Sequence, residues 1–171
     1  MLNKSEAGTA PVSTPQHTRT AAAAGDAEAQ FALGFSIAAS PAPQDYAQAM
    51  QWYEKAADQN HRLAQFNLGQ MFAHGQGVPQ SDSMAVKWIR MAAEGGDAGA
   101  QYNLGERCGQ ASVHGPETEA MESRVECYKW FTLAAAQNYR NALAKSDSAT
   151  MRMTREEVSE GNRRVKEFAA A

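Results

Sequence analysis

Apolar and small residues along this chain recur at helical spacing, and the spacing itself recurs. Ala29, Leu33 and Ile37 fall at i, i+4 and i+8, a stripe down one side of a helix. Further on, Ala49, Trp52, Tyr53, Ala56 and Ala57 give a second segment with 3–4 spacing. The two-segment pattern then returns. GDAEAQFALGFSI from Gly25 matches NHRLAQFNLGQMF from Asn60 and GDAGAQYNLGERC from Gly96. AMQWYEKAADQN, ending at Asn60, matches AVKWIRMAAEGG, ending at Gly96, and CYKWFTLAAAQN, ending at Asn138. Trp52, Trp88 and Trp130 are equivalent, as are Leu33-Gly34, Leu68-Gly69 and Leu104-Gly105, and the Ala-Ala pairs at 56, 92 and 134. Such periodicity predicts an array of helix pairs, with units at 25–60, 61–96 and 97–138.

Local chemistry fits that reading. The glycine after each leucine costs helix stability of about 1 kcal/mol, a cost explained if its missing side chain lets another helix come close. Gly75-Gln76-Gly77-Val78-Pro79 predicts the turn between the helices of the second unit, with Asp82 or Ser83 capping the second of them. His61 stands where Asp26 and Asp97 open the equivalent helices, a capping position. Thr14-Pro15 and Gly25 bracket a short helix over 15–24, read as a degenerate second helix shielding unit one. Asn141 to Thr150 predicts the first helix of an incomplete fourth unit. Thr154 and Glu157 form a capping box for a last helix. Val158, Gly161, Val165 and Phe168 make its apolar side, while Arg155, Glu156, Glu160, Arg163 and Lys166 face water.

The stretch AQFNLGQMFAHGQGVPQSDSMAVKWIRMAAEGG resembles the Sel-one-like repeat (SLR) family, relatives of the tetratricopeptide solenoids. The resemblance covers about Gly25 to Asn138 and implies an all-α fold, a right-handed superhelix of antiparallel helix pairs. It also implies non-catalytic work as a scaffold or adaptor. The C-terminal segment is similar to an extension found on many bacterial SLR chains. The chain departs from the pattern in three places. Unit one has Ser40-Pro41-Ala42-Pro43 in place of the Gly-x-Gly turn. Unit three carries about six extra residues between Cys108 and Cys127, read as a longer loop. Asn138-Tyr139 replaces the usual closing glycine. Residues 1–13 are expected to be a disordered tail, 14–171 one solenoid domain, and 139–171 its C-terminal cap.

Composition agrees with helices. There are 34 alanines against 7 valines and 2 isoleucines. Sixteen basic and 19 acidic residues leave a net charge of −3, no footprint for a nucleic acid. No apolar run is long enough for a membrane span, and residues 1–20 lack the apolar core of a secretory signal, so a cytoplasmic location is expected. Four histidines show no metal-binding spacing, and no nucleophile motif is present, so neither cofactor nor enzyme activity is expected. Cys108 aligns with Ile37 and Phe72, and Cys127 with Ala49 and Ala85. Both read as core thiols acting as small hydrophobes. An intra-unit disulfide is the alternative, a pairing found in a secreted, cysteine-rich branch of the SLR family.

The functional expectation is protein–protein interaction. In the resembled superhelix the first helices line the concave side. At about 100° per residue, Glu28, Ala32, Phe35 and Ala39 leave the core face together. Their equivalents are Leu63, Asn67, Gln70 and His74, then Gly99, Asn103 and Glu106. Phe35 and Leu63 would anchor an apolar side chain. The amide-rich end, Asn67, Gln70 and Asn103 with Glu106, would read the main chain of an extended peptide, since amides both donate and accept and the Glu106 carboxylate accepts. The alternative is an accessory or ligand-binding protein, or an enzyme subunit, using the inserted loop of unit three.

Overall fold

The computed structural model describes residues 15–39, 45–111 and 117–170, which form nine α-helices and no strand. In chain order they are α1 (Pro15–Ala23), α2 (Ala27–Ala38), α3 (Asp45–Ala57), α4 (Arg62–His74) and α5 (Asp82–Glu94), followed by α6 (Ala98–Ala111), α7 (Glu117–Ala136), α8 (Ala142–Thr150) and α9 (Arg155–Ala170). The expected tail 1–13, the cap at Thr14 and the Ser40–Pro43 linker lie outside the described residues.

Each unit is a helix pair, α2 with α3, α4 with α5, and α6 with α7. The pairs stack. Buried Ala49, Tyr53, Ala56 and Ala57 of α3 pack on Ala64, Leu68 and Met71 of α4. Ile89, Ala92 and Ala93 of α5 do the same with Ala100 and Leu104 of α6. The core therefore straddles unit boundaries, so no unit buries its apolar face alone, the hallmark of a solenoid. Helix-to-helix contact is close where glycine permits it. A Cβ on Gly34 would lie 3.0 Å from the Tyr53 ring, one on Gly69 2.5 Å from Ile89 Cγ1, and one on Gly105 2.8 Å from the Phe131 ring.

Helix ends repeat as well. Asp26 Oδ1 accepts the Ala29 N–H at 2.7 Å, and Asp97 Oδ1 that of Ala100 at 2.7 Å. His61 does this work in unit two: its Nδ1 accepts the Ala64 N–H at 3.3 Å while Nε2–H donates to Glu28 at 3.0 Å. Its ring stacks on Phe31. The left-handed residue after each second helix is Gly25, Asn60, Gly96 or Asn138. Asn138 thus takes the conformation of the missing glycine, which asparagine tolerates better than most residues. Gly75 and Gly77 are left-handed in the unit-two turn, as the sequence predicts. The cap of α5, however, is Ser81, whose hydroxyl accepts the Met84 N–H, rather than Asp82 or Ser83.

Two features differ from the sequence expectation. The core stripe of α2 includes Gln30 and Gly34, and Leu33 and Ile37 are only half-buried. Gln30, Gln65 and Gln101 are all buried, and each donates from Nε2 to a carbonyl of the preceding second helix, that of Ala22, Ala57 or Ala93, at 3.2 Å. The repeated Ala-Gln dipeptide was the available signal. It also shows α1 occupying a second-helix position. The other correction concerns unit three, where the extra residues do not lengthen the loop: α7 has 20 residues against 13 in α3 and α5. Glu, Ala, Met and Arg in this stretch are good helix formers, and α9 supplies a surface to pack on.

Candidate functional site

Successive first helices lie side by side. Glu28 and Phe31 of α2 meet His61 at the start of α4, Phe66 of α4 packs over Gly99 of α6, and Glu106 of α6 reaches Lys145 of α8. Along this row, Phe35 is 58% exposed and Leu63 40%, two large apolar side chains open to solvent. Leu63, Asn67, Gln70 and His74 form one ridge of α4. Asn67 Nδ2 donates to the Leu63 carbonyl at 2.8 Å, and the His74 ring bonds the Gln70 carbonyl at 2.8 Å. On α6, Asn103 Oδ1 accepts from Arg107 at 3.2 Å, and Glu106 pairs with Lys145 at 3.2 Å. Gly99 belongs elsewhere: it is buried, with the Tyr139 hydroxyl 3.2 Å from where its Cβ would lie.

The row continues into α8. Counting 78 residues from unit two, buried Ala142 and Ser146 take the places of Ala64 and Leu68. Lys145, Ser148 and Arg152 then take those of Asn67, Gln70 and His74. A cavity of about 380 Å³ opens there between α6, α7 and α8, with Cys127, Phe131 and Ala149 in its lining. Sequence pattern alone ends the row at Glu106, because the fourth unit lacks the glycine and aromatic markers of the others.

Behind the row, α9 packs against α7. Arg124 holds buried Glu157 at 2.6 Å, and Arg164 gathers Glu122, Glu126 and Glu160. Burial pushes the Glu157 carboxyl upward, yet the Arg124 bond and the Thr154 N–H outweigh it and hold it below the usual range. Thr154 N–H donates to Glu157 at 2.7 Å and Glu157 N–H to the Thr154 hydroxyl at 3.2 Å, completing the expected capping box. Between α7 and α9 lies a cavity of about 400 Å³ whose floor includes Met121 and Val125.

Both cysteines are free thiols, Cys108 half-buried and Cys127 buried, packed in one cluster with Tyr102 and Phe131. Burial pushes Cys127 up to about 11, and burial followed by the charge of Glu126 raises Cys108. Neither thiol is activated as a nucleophile. Among the described residues no group of three His, Cys, Asp or Glu is placed to hold a metal ion, and no helix is long and apolar enough to cross a membrane.

A family model described as the Sel1 repeat matches residues 27–61, 62–97 and 98–139. Among solved structures, a protective antigen of uropathogenic Escherichia coli strains displaying an SLR fold superposes with a TM-score of 0.75 at 26% identity. That alignment covers 90% of this chain and 32% of the antigen, so the chain spans about a third of its length. A Sel1 repeat protein from Oxalobacter formigenes superposes with a TM-score of 0.64 at 29% identity, over 78% of this chain and 96% of the other. No curated protein matches the chain in sequence.

Proposed function

The chain belongs to the Sel1 repeat family, whose members generally serve as protein–protein interaction scaffolds, and on that premise we propose that it is a non-catalytic adaptor binding an extended peptide along its first helices. The observation that carries this reading is the ridge of α2, α4 and α6. There Phe35 and Leu63 stand exposed at one end of a stripe that becomes rich in amides. Large apolar side chains exposed on two neighbouring first helices suit an anchor for a partner. Asn67, Gln70, His74, Asn103 and Glu106 then line the path of the main chain. The bonds that Asn67, His74 and Asn103 make within their own helices orient these side chains without burying them. Residues 14–171 act as the single binding domain.

The test replaces Asn67, Gln70, Asn103 and Glu106 together with alanine and compares partner capture with that of the unaltered chain. Capture is expected to be lost while helicity and melting are kept. Glu106 contributes only an exposed ion pair, worth about 0–1 kcal/mol. Equal capture of the same partner by both chains overturns the groove reading.

A further inference from the structure

At its α8 end the stripe changes chemistry. The charged lining of the cavity between α6, α7 and α8 is Lys145 and Arg152 against a single carboxylate, Glu106, with the Cys127 thiol neutral beside them, in a chain of net charge −3. The exposed Arg152 guanidinium has no hydrogen-bond or ion-pair partner among the described residues, as holds also for Arg19, Arg62, Arg90 and Arg155, and of these it is the one that lines this cavity. Among the described residues Lys145 pairs with Glu106, and that pair is 41% and 44% exposed and so cheaply exchanged for another carboxylate. Gly105 and Gly109 form the α6 side of its lining. Local positive charge, an unpaired guanidinium and a cavity beside it are complementary to a carboxylate.

We propose that the cavity between Lys145 and Arg152 receives an acidic side chain of the partner peptide. The proposal rests on the groove reading above and fixes the direction of the ligand. The apolar anchor lies over Phe35 and Leu63, and the carboxylate lies at α8. Packed helices stand about 8–10 Å apart, so the three steps from α2 to α8 span about 24–30 Å. An extended chain rises about 3.3 Å per residue, which places the acidic residue about seven to nine positions from the apolar one.

A phage-displayed library of random dodecapeptides, panned against the full chain, tests this. Peptides pairing an apolar residue with Asp or Glu at that spacing are expected. Resynthesised with amidated C-termini, they are expected to bind Arg152→Ser about tenfold more weakly, and Arg152→Glu is expected to select basic residues instead. Arg152 is exposed and partnerless, so both variants should keep the parent's melting temperature, which is checked first. Selected peptides that lose binding to the four-alanine groove variant but show no acidic preference, or are indifferent to Arg152, overturn the acidic subsite and leave the groove standing. Loss of binding on amidation overturns it in favour of a chain terminus. Failure to enrich any peptide overturns both readings.

Discussion

At the scale of single residues, stability here depends on atoms that are absent as much as on those present. Gly69 is the sharpest case. An alanine there would gain about 1 kcal/mol of helix propensity, but its Cβ would lie 2.5 Å from Ile89 Cγ1 and 3.1 Å from the Ile89 backbone N. Ile89 is fully buried and has nowhere to retreat, so overpacking at about 1–3 kcal/mol wins. Gly69→Ala is expected to lower the melting temperature, and adding Ile89→Val to recover part of the loss, as a double-mutant cycle by calorimetry would show. The helix-start position of each unit makes a related point. Aspartate at 26 and 97 and histidine at 61 share one task, because each offers an acceptor to the N–H three residues on. Histidine adds a stacked ring and a bond to Glu28 that ties α4 to α2.

Among the elements, α7 and α9 depend on each other. The residues added to unit three extend α7 by about two turns, over 117–123, and that extension carries Glu122; with Arg124, which stands where Asp82 begins α5, it holds α9 through Arg164 and Glu157. The carboxyls involved titrate low. Glu160 lies at about 2 because Arg163 and then Arg164 bond it, and Glu122 is lowered first by its bond to Arg164. A carboxyl whose folded value lies below its unfolded value stabilises the fold above the unfolded value and ceases to do so as pH falls through the folded one. The arginine partners of Glu160 lie on α9 itself, so docking of α9 is expected to weaken through Glu122 and Glu157, as pH falls from about 4.5 through their lowered values. Hydrogen exchange across that range should show α9 losing protection before α4 and α5. Arg164→Met should flatten the dependence; an α9 that opens only together with the whole stack would contradict the mechanism.

On the level of the whole molecule, the last helix pair of a stack needs its apolar face covered, and α9 packs over that of α7. Phe168 meets the Trp130 indole edge-on at 5.7 Å, Gly161 lies against the Tyr128 ring, and Val165 packs into the same cluster. Removing Thr154–Ala171 would uncover Trp130, now 1% exposed, together with Val125 and Tyr128. The truncated chain is expected to aggregate, detected by light scattering. A monomeric truncation with unchanged melting would show that α9 is no cap. The periodic pattern was enough to determine the helices, their pairing, the capping box of α9 and the close-approach glycines, since each follows from local spacing or from a unit repeating its neighbour's solution. Three things waited for tertiary structure: the burial of Gln30, Gln65 and Gln101, the growth of α7 in place of a longer loop, and the continuation of the first-helix row through Lys145 and Arg152. In each case the deciding partner lies in another helix (a carbonyl at the end of the preceding one, the face of α9, the cavity beside α6). A contact of that kind leaves no period in the chain, because it depends on which helices the stack brings together.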